Sequence, residues 1–235
     1  MKSILVFLAA IFLFVGCKSS SEEKIEPNTN ESTASTETST QADFNPYLAM
    51  WISHRIENFD KWLKIFDAHD TARRRNGLTV LTLGRDVEDS NIVYVRLRAD
   101  DKQKAMDFFA LNDTKEAMKN SGVSGRPVII YMNVIRDDQP NTDLKQRVIV
   151  SHHVKDFDVW LKAFDDKGKQ TRAANALIDR TIARDIADTN MVYIVFDVVD
   201  LEKARARIFS AEVKKFMADA GVDSPPVVRF YKLVN

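Results

Sequence analysis

The sequence is poor in the residues that staple a chain or ligate a metal, and its charges balance. It holds a single cysteine among 235 residues, so no disulfide framework can form within the chain. Histidines number four, and the adjacent pair His152-His153 falls in a strand-like run, where neighbours point to opposite faces rather than to one ion. His69 has no ligand-type residue one helical turn on, so no metal site is expected. An excess of one charge is also missing. Lys+Arg and Asp+Glu stand at 34 each, so no global field favours nucleic acid. There is no glycine-rich phosphate loop, no nucleophile elbow and no glycosidase-like pair of carboxylates, and no cofactor is expected.

What is present begins at the first residues. Lys2 precedes an unbroken apolar run from Ile4 to Val15, then Gly16 and Cys17. A dozen apolar residues suit a signal-peptide core and fall short of the roughly 20 that a membrane-crossing helix needs. Phe14-Val15-Gly16-Cys17 resembles the lipobox of bacterial lipoproteins, with Phe14 where leucine is usual. The resemblance implies cleavage of a signal peptide, residues 1–16, and diacylglyceryl attachment to Cys17. The membrane then becomes a partner through lipidated Cys17. Lys18, rather than an aspartate, follows the cysteine, which by resemblance to lipoprotein sorting favours the outer membrane of the cell envelope. Residues 17–43 are dominated by Ser, Thr, Glu and Asn. Such a segment buries too little surface to offset ordering, and as a coil it would reach about 25–30 Å. It reads as a tether.

Beyond residue 43 the chain repeats itself. His54 to Asp67 matches His152 to Asp165, each run preceded by a serine, Ser53 or Ser151. Arg85-Asp86 with Asp89, Asn91, Val93 and Tyr94 matches Arg184-Asp185 with Asp188, Asn190, Val192 and Tyr193. Met118, Gly122-Val123 and Pro127-Val128 return as Met217, Gly221-Val222 and Pro226-Val227. The order is kept while the register slips by one residue, which is the signature of an internal duplication. The repeats are expected over residues 44–138 and 139–235.

Each repeat reads alike. Tyr47 to His54 is a candidate strand. Asn58 then caps a helix whose Phe59, Trp62, Leu63 and Phe66 recur at helical spacing, and Asp156 with Phe157, Trp160, Leu161 and Phe164 does the same in the second copy. Leu78 to Arg85 and Ile92 to Leu97 are strand-like, joined by a polar turn. One long helix is expected from Asp101 to Asn120, ended by Gly122, and Pro127 should open a strand over Val128 to Val134. The sum is β-α-β-β-α-β twice, the ferredoxin-like order. Val192 to Phe196 is apolar at successive positions, so both sheet faces must be covered, one by helices and one by the other repeat. The fold class is α+β, a single-chain α/β barrel. It should be monomeric, because the sheets pair within one chain.

Strand-end His, Phe-Asp-x-Trp-x-x-x-Phe-Asp, Arg-Asp before Asn-x-Val-Tyr, and Gly-Val ahead of a proline-led strand together resemble the dimeric α/β-barrel superfamily. The closest resemblance is to its antibiotic-biosynthesis-monooxygenase-like and cyclase-like members. It spans residues 44–235 and implies the fold more than an activity. Haem-degrading relatives place a histidine in the second helix, and neither residues 101–120 nor 201–220 contain one.

The conserved Trp, Phe and Asp positions read as core and helix surface, and the Arg-Asp pairs as structural ion pairs. His54 and His152 are the candidate acid–base residues, placed at the mouth of a cavity between the two sheets; the alternative is a structural strand-end histidine. Tyr94, Tyr193, Arg96 and Arg98 are candidate cavity-lining residues. Arg229, interrupting the last apolar strand, would need an anionic partner if buried. Three functions stay open. They are the binding of a small apolar, aromatic or acidic molecule in the barrel, cofactor-free oxygenation of an aromatic substrate, and an interaction module with a solid core.

Overall fold

The computed structural model describes residues 44–234. The signal peptide, Cys17 and the tether expected from the sequence lie outside the described residues. The first half runs β1 (Tyr47–Ile56), α1 (Phe59–Ala68), α2 (Asp70–Arg75), β2 (Leu78–Asp86), β3 (Ile92–Ala99), α3 (Lys102–Ala110), α4 (Asn112–Asn120) and β4 (Val123–Asp137). The second half follows the same order: β5 (Gln146–His153), α5 (Phe157–Lys167), α6 (Lys169–Ala173), β6 (Leu177–Asp185), β7 (Met191–Val198), α7 (Leu201–Ile208), α8 (Ala211–Asp219) and β8 (Val227–Leu233).

Local signals set the helix starts. The Asn58 side chain accepts from the Lys61 amide at 2.9 Å, and Asp156 accepts from the Val159 amide at 3.0 Å. Asp101 and Asp200 cap α3 and α7 in the same way. The single helix expected over residues 101–120 is in fact two. Leu111 takes an extended conformation (φ −56°, ψ 140°) between α3 and α4, and Ser210 (φ −67°, ψ 152°) breaks α7 from α8 and caps the latter. Apolar periodicity carries across such a joint unchanged, so the pattern does not reveal it. The strand expected from Pro127 starts earlier, at Val123.

Eight antiparallel strands close into a barrel in the order β1-β3-β2-β8-β5-β7-β6-β4. Each half supplies four neighbours, and the halves are sewn together by β2 with β8 and by β4 with β6. At the first seam Gly84 lies against Tyr231: a Cβ on residue 84 would sit 2.6 Å from the tyrosine Cδ2, so only glycine fits. Helices cover the outer faces, giving three apolar layers. Met50, Ile52 and Ile56 of β1 pack outward with Trp62, and Val148, Val150 and Val154 pack outward with Trp160. Ala49, Trp51, Tyr94, Met132, Tyr193 and Tyr231 point inward.

The inward layer corrects one expectation. The space between the two four-stranded halves is filled rather than open. Trp51, Tyr94 and Tyr231 meet there with ring centroids 5.2 to 5.6 Å apart. Large aromatics from facing strands interdigitate at this spacing and fill the middle of the barrel.

Candidate functional site

His54 and His152 lie on the other side of the sheet from where the sequence placed them. Strand alternation sets this: His54 shares the parity of Met50 and Ile52, so it points to the helices and not into the barrel. His152 follows Val148 and Val150 in the same manner. Each imidazole packs beside a tryptophan, with centroids 5.5 Å apart for His54–Trp62 and for His152–Trp160. Both are buried, at 8% and 1% exposed, and neither ring nitrogen of either has a hydrogen-bond partner among the described residues. They therefore neither cap a helix nor bond a loop. Burial holds each imidazole down at about 4, so both are neutral near pH 7.

Each histidine opens on an apolar cleft between sheet and helices. In the first half the cleft has about 70 Å³ of room, walled by Ile52, Trp62, Phe66, Phe108 and Met118. In the second it has about 90 Å³, walled by Val150, Trp160, Phe164, Phe196 and Met217. The helical aromatic stripe read as core thus also lines a site. Among the polar residues lining each cleft is an arginine at matching positions in the two halves, which the sequence pattern did not single out. Arg73 stacks on Phe66 at 3.8 Å and donates to the Phe66 carbonyl at 2.6 Å. Arg172 stacks on Phe164 at 3.7 Å, donates to the Phe164 carbonyl at 2.7 Å, and grips both carboxylate oxygens of Asp179. A signal for them existed. In the stretch Arg73-Arg74-Arg75, against Arg172-Ala173-Ala174, only the first arginine is shared.

The remaining candidates divide. Tyr94 and Tyr193 lie in the barrel interior; the Tyr94 hydroxyl donates to Asp86 at 2.7 Å. Burial raises the pKa of both phenols, and the neighbouring Asp86 or Asp185 adds to the rise. Arg96 is buried and donates to the Tyr47 hydroxyl at 2.6 Å and to Thr181 Oγ1 at 3.1 Å. Arg98 is exposed beyond it, its guanidinium 4.8 Å from the Tyr47 ring. Arg229 is exposed, not buried, because it sits near the start of β8, where the strand emerges from the packed layers. The Arg-Asp dipeptides are not ion pairs either. Alternation sends Arg85 to Phe59 and the Ser90 carbonyl, and Asp86 to the turn amides of Glu88 and Asp89.

No protein-family model matches this chain, and no curated protein matches it by sequence. Solved structures do match its fold. An anthrone oxidase-like protein superposes with a TM-score of 0.54 at 13% identity, over 80% of this chain and 92% of that one. A candidate monooxygenase from Lactobacillus acidophilus gives 0.53 at 14% identity, over 81% and 94%. A candidate chlorite dismutase gives 0.51 at 12%, over 81% and 96%. At this level of identity the likeness shows a shared fold and leaves the function to the site.

Proposed function

We propose that this chain, whose fold is that of the dimeric α/β barrels, is a membrane-tethered binder of small, largely apolar aromatic molecules. The binding sites are the two clefts between sheet and helices. One observation carries the reading: a neutral, buried imidazole without a partner faces an aromatic-walled cleft in both halves. Leaving a buried polar group unsatisfied costs about 1–3 kcal/mol, and a ligand hydroxyl would recover it. Neutral imidazole offers one donor and one acceptor, which suits a phenol.

Titration with 2-naphthol and naphthalene, followed by quenching of Trp62 and Trp160, tests this. In a variant carrying His54→Leu and His152→Leu, 2-naphthol should bind roughly tenfold more weakly while naphthalene is unaffected. Equal loss for both compounds would reject the histidines as ligand contacts. The names borne by the fold relatives lend support to a second reading, cofactor-free oxidation of the bound aromatic, and oxygen uptake with 2-naphthol would reveal it. An imidazole held at about 4 is, however, a weak base at neutral pH, so hydrogen bonding is the role its environment favours.

The tether and its lipid belong to the same proposal, supported by the apolar run ending at Gly16-Cys17. Cys17→Ala should move the chain out of the membrane fraction; an unchanged distribution would refute anchoring through this residue.

A further inference from the structure

The barrel end at which β1 and β5 begin carries a feature that the two clefts do not share. A polar cleft of about 470 Å³ is lined there by Arg96, Arg147, Arg180, Asp137 and Thr142. Its arginines come from both halves: Arg96 from β3, Arg147 from β5 and Arg180 from β6. Pairing shows that none of them is repeated. Arg147 pairs with Asp197 where Ala49 pairs with Arg98, and Arg96 pairs with Trp51 where Val195 pairs with Ile149. Arg180 and Leu81 are matching residues, each skipped by the register shift in its strand. Such an irregularity turns a side chain off the regular alternation.

The charges do not cancel. Asp197 is fully buried, and its Oδ1 accepts from Arg147 Nε at 2.9 Å and from Arg180 Nε at 2.7 Å. Its Oδ2 takes the Thr142 hydroxyl at 2.8 Å. One carboxylate thus holds two guanidiniums by their Nε edges and the Thr142 hydroxyl as well. Among the described residues, the terminal nitrogens of Arg180 bond only the Pro140 carbonyl, at 3.4 Å, and the Arg147 guanidinium lies beside the buried Tyr231 phenol. Asp137 reaches Arg96 only at 3.5 Å, while Arg96 Nε is buried with no partner among the described residues. Three arginines against two aspartates leave one positive charge in a partly desolvated cleft, and Arg98, two residues along β3 from Arg96 and paired with Ala49 near the start of β1, adds another just outside its lining.

We propose that this barrel-end cleft is a binding site for a small hydrophilic oxyanion, a carboxylate or a phosphate ester. Guanidinium ends present paired donors that match the oxygens of either group. The polar walls distinguish this site from the apolar clefts, and the proposal does not depend on ligand binding there.

The full chain in non-ionic detergent is titrated calorimetrically with citrate and, separately, with inorganic phosphate, against chloride at equal ionic strength. One saturable equivalent of either anion is expected, and the stronger of the two identifies the class. Arg180→Gln should weaken binding by about tenfold or more, as loss of a charge-assisted contact does, and Arg98→Gln by a smaller factor. The arm with Arg98, an exposed residue, keeps the test decisive if the Arg180 variant does not fold. Leucine at both His54 and His152 should leave anion affinity unchanged. Absence of saturable binding, or binding indifferent to both arginine substitutions, would overturn the site.

Discussion

Asp197→Ala is expected to lower unfolding stability by about 3–5 kcal/mol, seen as a large drop in the urea midpoint at neutral pH. The cause is not the net worth of its ion pairs, since burying charges costs nearly as much as pairing them returns. The loss comes from stranding Arg147, which is 6% exposed, and Arg180 without an anion in the barrel end. The same reasoning predicts a rescue. At the matching positions the first half carries Ala49 and Leu81 instead of arginines. The triple change Arg147→Ala, Arg180→Leu and Asp197→Ala should therefore be much closer to the parent in stability than Asp197→Ala alone. If the triple variant is the least stable of the set, stranded arginine charge is not what destabilises Asp197→Ala.

Acid should destabilise this fold well before its carboxylates titrate. In the unfolded chain His54 and His152 take up protons near 6.5, but in the folded chain burial holds both at about 4. Between those values the unfolded state binds more protons, so stability is complete above pH 6.5 and declines as the pH falls toward 4. At 1.36 kcal/mol per pH unit the loss is about 3 kcal/mol for each histidine. Together they approach the whole stability of an ordinary domain. Thermal unfolding followed from pH 7 to pH 4 should show a steep fall in midpoint. The double leucine variant should flatten that slope and be more stable at pH 7, because it removes two unsatisfied groups. An unchanged slope would mean that the histidines are not responsible. Glu212, held at about 2 by Arg207 and Lys167, acts in a lower window and should not blur the result.

These two expectations involve residues of opposite legibility. The ferredoxin-like order, the Asn58 and Asp156 caps and the pairing of two halves into one barrel were readable from the chain, because each rests on local chemistry or on a period. Alternating apolar residues declare a strand, and an Asn or Asp ahead of an aromatic stripe declares a helix start. The repetition of His54 and His152 in one setting was equally plain. Which side of the sheet they face was not, since Val192 to Phe196 and their neighbours are apolar on both faces and parity alone carries no label of inside or outside. That choice was made only when the helices packed. Trp62 and Trp160 took the face bearing the histidines, and Trp51, Tyr94 and Tyr231 filled the middle of the barrel. The grouping of Arg96, Arg147 and Arg180 around Asp197 and Asp137 likewise has no trace in spacing. Those residues lie on five strands and meet only where the barrel closes, so long-range register, and not local pattern, assembles this charged end of the barrel.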